Sequence, residues 1–132
     1  MTAPRLADLR SGLSRARGLG SAKEGVSHWW AQRLTALALV PISLWFAGSL
    51  IGLVGAGQPA VVAWASSPLS AVLLIALIVA TFHHAQLGLQ VVIEDYVHNE
   101  GAKLAAILVV KGAAFLLATA GVLAVVKMAM KG

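Results

Sequence analysis

Cysteine is missing altogether from the 132-residue chain. Its absence excludes a disulfide, a thiolate-held zinc or iron–sulfur site and a cysteine nucleophile. Any redox chemistry therefore needs a bound cofactor held by other ligands. Acidic side chains are almost as scarce, with five Asp and Glu against ten Lys and Arg and a formal net charge of +5. Only 11% of the residues are charged, where a soluble domain carries about a quarter. What fills the chain instead is apolar: 59% of it is hydrophobic, with a mean hydropathy of +0.85, the composition of a membrane protein. Arg5, Arg10, Arg15, Arg17 and Lys23 all precede the first long apolar run. The basic excess thus reads as membrane topology and attraction to an anionic lipid surface, and it speaks against nucleic-acid binding.

Three apolar stretches, about 30–54, 69–93 and 104–126, are each long enough for the ~20 residues that a helix needs to cross the hydrocarbon core. The sequence therefore predicts an all-α fold: a transmembrane bundle of three helices (residues 29–132) behind a basic N-terminal cytoplasmic arm (residues 1–28). The Arg- and Ser-rich start shares features with an organellar transit peptide. It lacks the apolar core and small-residue cleavage site of a secretory signal, and it reads as a retained arm. Between the first two runs lies an uncharged break, Gly55 to Pro68; between the last two lies a short charged one, Glu94 to Lys103. Counting basic residues near the helix ends puts the N-terminus inside, the first loop outside and the second loop inside, with Lys127 and Lys131 outside against the rule. Trp29, Trp30 and Trp64 are expected as interfacial anchors.

The unusual run is Thr81-Phe82-His83-His84, within the second helix. At about 1.5 Å per residue His84 lies roughly 16 Å from Asp95, near mid-bilayer. An ionisable side chain at that depth faces a protein interior, pairs, or binds something. The plain reading is a neutral imidazole hydrogen-bonded between helices; the functional reading is a haem ligand. At 100° per residue His84, Gly88 and Asp95 share one face, and Gly88 leaves room there for a flat macrocycle or a neighbouring helix. His83 points about 100° away from His84 and is no opposite axial ligand to the same iron. His28 and His98 sit near the inner surface, so a second ligand at mid-membrane has to come from another transmembrane chain, a distinct partner subunit or a second copy of this one. At that surface Glu94-Asp95-Tyr96-Val97-His98 and Ser27-His28-Trp29-Trp30-Ala31-Gln32-Arg33 are expected on one level, where a phenol suits a quinone carbonyl and Arg33 suits an anionic group. Lys111 receives no role.

The run from His84 to His98 resembles the pattern His-x-x-x-Gly, six residues, Asp-Tyr, of the hydrophobic membrane anchor of succinate dehydrogenase, respiratory complex II. Ser27 to Ala36 looks like that family's entry to its first helix. The resemblance, with the three-helix plan, covers most of the chain after residue 26. It implies that His84 is an axial ligand of haem b, with the other ligand from the sister cytochrome b556 subunit. It implies that Tyr96 hydrogen-bonds the ubiquinone head group with Asp95 in support. Arg33, together with Ser27 and His28, would then lie near the haem propionates and the quinone, and Gly88 would pack on the haem. Glu94 departs from the pattern, and so does His83 beside the ligand position. The implied partners are the cytochrome b556, iron–sulfur and FAD flavoprotein subunits. The implied role is that of a non-catalytic anchor in electron transfer from succinate to ubiquinone, in a bacterial inner membrane. Alternatives are a fumarate reductase anchor, a small proton-conducting or transport subunit using His83 and His84, and a purely structural anchor.

Overall fold

Apolar runs with few breakers form helices in a membrane because only an intra-segment ladder satisfies every backbone N–H and C=O away from water. The computed structural model describes Ala22–Lys131, with side chains from Gly25, and is entirely helical over those residues apart from short connections. In chain order the helices are α1 (Ala22–Gly52), α2 (Gln58–Ser66), α3 (Pro68–Tyr96) and α4 (Glu100–Lys131). Three of them have apolar spans of membrane-crossing length: Gly25–Gly52, Pro68–Tyr96 and Glu100–Lys131. A long helix covers each of the three expected apolar runs, and each reaches beyond its run at one end or both. α1 starts at Ala22, inside the expected arm; the rest of that arm, residues 1–21, lies outside the described residues. Polar residues such as Ser27, Glu94 and Asp95 join the helices because the ladder continues at no cost where water or headgroups replace hydrocarbon.

The expected breaker loop 55–68 is instead a turn plus a short helix. Gly55 takes the left-handed conformation (φ 81°) just after α1, one that an L side chain adopts only with strain. Gly57 then caps α2, with Pro59 in its first turn, where a missing N–H is harmless and the fixed φ favours the helix. Ser67 is extended (ψ 140°) ahead of Pro68, the first residue of α3, because the proline ring disfavours helical geometry in the residue before it. Pro41 lies inside α1. Such an interior proline is tolerated in membrane helices, where neighbours and local adjustment satisfy the freed carbonyl.

The chain divides into two compact units, residues 1–31 and 32–132. In the first, Trp29 and Trp30 pack edge to face with ring centroids 5.1 Å apart. The core of the second lies at the α2 end, where buried Ala65, Ala71, Leu74 and Val125 are flanked by Trp45, Phe46, Ile75 and Ile78. Trp64, expected as a lipid anchor, stacks on Trp45 at 5.7 Å and is a partly buried member of that core. α3 and α4 approach closely. A Cβ on Gly121 would meet Ile78 Cγ2 at 3.2 Å. Their connection is only three residues, Val97 to Asn99, and Asn99 caps α4 by accepting the Ala102 N–H at 2.9 Å. Lys103 pairs with Glu100 at 3.0 Å in the first turn.

Candidate functional site

His84 stands on the face of α3 turned to α1. It is half-buried, and its Nδ1 lies 3.0 Å from Thr35 Oγ1. The Thr35 hydroxyl also donates to the Gln32 carbonyl in the turn before it, at 3.1 Å. No hydrogen bond to the other ring nitrogen, Nε2, occurs among the described residues. An interhelical bond of this kind contributes about 0.6 kcal/mol in membrane proteins. That is too little to decide the fold, so its main effect is to orient the ring.

One turn along the same face is Gly88. A Cβ built there meets only Gln32 Nε2, at an ordinary 3.7 Å. Packing within this chain therefore does not demand glycine at 88, in contrast to Gly121. The Gln32 side chain reaches into the same region, and its Oε1 is buried with no hydrogen-bond donor. An unsatisfied acceptor of this type costs about 1–3 kcal/mol, which favours contact with a further polar group. The described residues contain no group of three His, Cys, Asp or Glu able to hold a bare metal ion. A macrocycle that carries its own nitrogens asks only one axial imidazole of this chain. His84 and the space at Gly88 fit such a group.

His83 is turned from this face, as the spacing predicts. It is exposed and lines a cleft of about 190 Å³ between α3 and α4 with Phe82, Gln86, Ala114 and Phe115. The larger concavity, about 630 Å³ along α2 between Gln58 and Ser67, is lined by no ionisable side chain.

The contacts of Gln32 and Thr35 fix the register of α1 against α3. Gln32 is level with Gly88, and Tyr96 is eight residues farther on, about 12 Å along the axis. Arg33 is exposed and sits about 100° around α1 from Gln32. It is thus nearer the level of His84 than that of Tyr96, and the expected single level for Arg33 and Tyr96 is not what forms. Tyr96 ends α3 with 77% of its surface exposed, and Asp95 beside it is exposed too. The Glu94 carboxylate turns back to accept from Gln90 Nε2 at 2.8 Å, away from any role with its neighbours. In the first unit Ser27 is exposed; His28 is half-buried with an Nε2 that makes no hydrogen bond. His98 and Lys111 are exposed.

Thr35 and Gln32 are the residues of this site that the sequence reading left without a role. Their only signal is two polar side chains three apart at the start of an apolar run, and their partners on α3 emerge only with the register.

Residues 7–118 match the family model described as the succinate dehydrogenase/fumarate reductase transmembrane subunit. Among similar proteins, the succinate dehydrogenase hydrophobic membrane anchor subunit of Rickettsia bellii is 34% identical over 104 residues, 79% of this chain and 83% of that one. The protein of the same description from Paracoccus denitrificans is 31% identical over 93 residues, covering 70% and 71% of the two chains. The succinate dehydrogenase membrane anchor subunit of Reclinomonas americana is 29% identical over 92 residues, covering 67% and 77%. No solved structure matches significantly.

Proposed function

Since the chain belongs to the succinate dehydrogenase/fumarate reductase transmembrane subunit family, we propose that it is the hydrophobic membrane anchor subunit of a succinate dehydrogenase, supplying one haem b ligand and part of a ubiquinone site. The observation that carries the haem half is His84, whose Nδ1 is engaged by α1 while its Nε2 makes no hydrogen bond among the described residues. The relatives are described as succinate dehydrogenase subunits, which favours the dehydrogenase over the fumarate reductase direction.

In this reading His84 would hold the haem iron, and a second imidazole would come from a sister cytochrome b556 subunit. Haem held there by two imidazoles would supply a one-electron redox centre. Gly88 gives the macrocycle room. Arg33, at the level of the His84 region, is suited to the propionates more than to a head group held at Tyr96. Ligation offsets the cost of an imidazole in hydrocarbon.

Ubiquinone is the substrate. The Tyr96 hydroxyl donates to a quinone carbonyl and holds the ring at the membrane surface, where electrons arrive from an iron–sulfur subunit fed by an FAD flavoprotein. Asp95, adjacent and exposed, supports that hydrogen-bonded site and can accept a proton in exchange with water. The chain itself anchors and positions; succinate oxidation belongs to the peripheral subunits. The N-terminus is cytoplasmic, and the membrane is a bacterial inner membrane.

The test is a dithionite-reduced minus oxidised visible spectrum of the complex purified gently with its partners. Sharp low-spin b-type bands are expected. A flat spectrum from an assembly that still oxidises succinate with an artificial dye overturns the haem half. A small transporter using His83 and His84 would instead show transport by this chain alone.

A further inference from the structure

We propose that Thr35 is a positioning residue that sets the tautomer and electron-donor strength of His84, an inference that rests on the haem reading above. A threonine hydroxyl has one proton and two acceptor lone pairs. Thr35 directs its proton at the Gln32 carbonyl, 3.1 Å away, the usual back-bond of a hydroxyl within a helix. With that proton so placed, the contact of Thr35 Oγ1 with His84 Nδ1 at 3.0 Å has the ring nitrogen as donor. A neutral imidazole protonated at Nδ1 carries its lone pair on Nε2, the nitrogen that makes no hydrogen bond among the described residues.

The arrangement is a relay along α1 and α3: carbonyl of Gln32, hydroxyl of Thr35, N–H of His84, lone pair of Nε2. Metal-ligating histidines commonly donate their other ring N–H to a fixed acceptor, which orients the ring and raises its basicity. Here the acceptor is a neutral hydroxyl already polarised by its own donation to a carbonyl. It therefore increases the donor strength of Nε2 without adding a charge to the hydrocarbon interior. His83 has no such partner among the described residues and lies outside the relay.

The experiment compares the purified complex carrying Thr35→Val, Thr35→Ser or His84→Ala with the unmodified complex. Haem midpoint potential is read by titration, and haem retention by transfer to an excess of apomyoglobin. Succinate-dependent dye reduction confirms assembly. Removing the hydroxyl weakens the ligand and destabilises the oxidised iron more than the reduced. Thr35→Val is therefore expected to raise the potential and to lose haem roughly ten- to a hundredfold more readily. Thr35→Ser, which restores the hydroxyl, is expected to return both to the unmodified values. Should valine disrupt assembly, Thr35→Ala removes the hydroxyl without added shape and carries the same expectation. An unmodified complex that holds haem while Val and Ala leave potential and retention unchanged overturns this inference and leaves the haem reading standing. So does a serine variant that behaves like the valine one. A complex without haem overturns the reading and the inference together.

Discussion

At the scale of single residues, the two adjacent histidines of α3 meet different surroundings, one bonded to Thr35 on α1 and the other exposed at the cleft beside α4. His84→Ala is expected to abolish the haem spectrum and His83→Ala to retain it; equal spectra from the two variants would contradict the assignment. At the far end of the helix, Tyr96→Phe removes one hydrogen bond worth about 1 kcal/mol, hence roughly a fivefold loss in quinone reduction. Dye reduction by the peripheral subunits should stay intact, and unchanged quinone kinetics would remove Tyr96 from the site. That the two histidines face different surroundings was legible in the sequence, because periodicity alone turns His83 about 100° from the face that His84 shares with Gly88 and Asp95. Thr35 was not. It lies 49 positions from His84, and which α1 residue meets that imidazole depends on an interhelical register that no local pattern encodes.

At the scale of elements, two glycines have distinct duties that substitution separates. Gly55 is needed for its positive φ of 81° just after α1, so Gly55→Ala is expected to cost about 1–2 kcal/mol although no atom lies within reach of the new methyl. Gly121 is needed for space. Its Cβ would stand 3.2 and 3.3 Å from two carbons of Ile78, and Gly121→Leu should push α3 from α4 at a cost of about 1–3 kcal/mol. Thermal unfolding of the detergent-solubilised complex measures both. Gly112→Ala, with open space around it, is the control that should leave the midpoint in place. The long helices were legible from their apolar runs. The helix α2 was hidden by the residues that begin and end it: Gly57, Pro59, Ser67 and Pro68 read as breakers, yet here they are the caps and first turns of two successive helices.

At the scale of the whole molecule, only five apolar side chains are buried among the described residues: Ala65, Ala71, Leu74, Leu87 and Val125. Leu44, Ile51, Val109 and Phe115 are among the many large apolar side chains that remain exposed, and the hydrocarbon of a bilayer and partner helices are their natural cover. Composition foretold this, since a chain so apolar cannot hide its surface within three helices. The three spans also fix a topology that a chain without cysteine makes simple to test. A single thiol introduced by His98→Cys should react with an impermeant maleimide only after the membrane is opened, and one introduced by Gln58→Cys should react in intact spheroplasts. The reverse pattern would invert the orientation read from the basic arm. A last consequence follows from the turn at Val97 to Asn99. Three residues give no slack between α3 and α4, so the two helices are tethered as a tight hairpin, and a shift of one along its axis drags the end of the other with it.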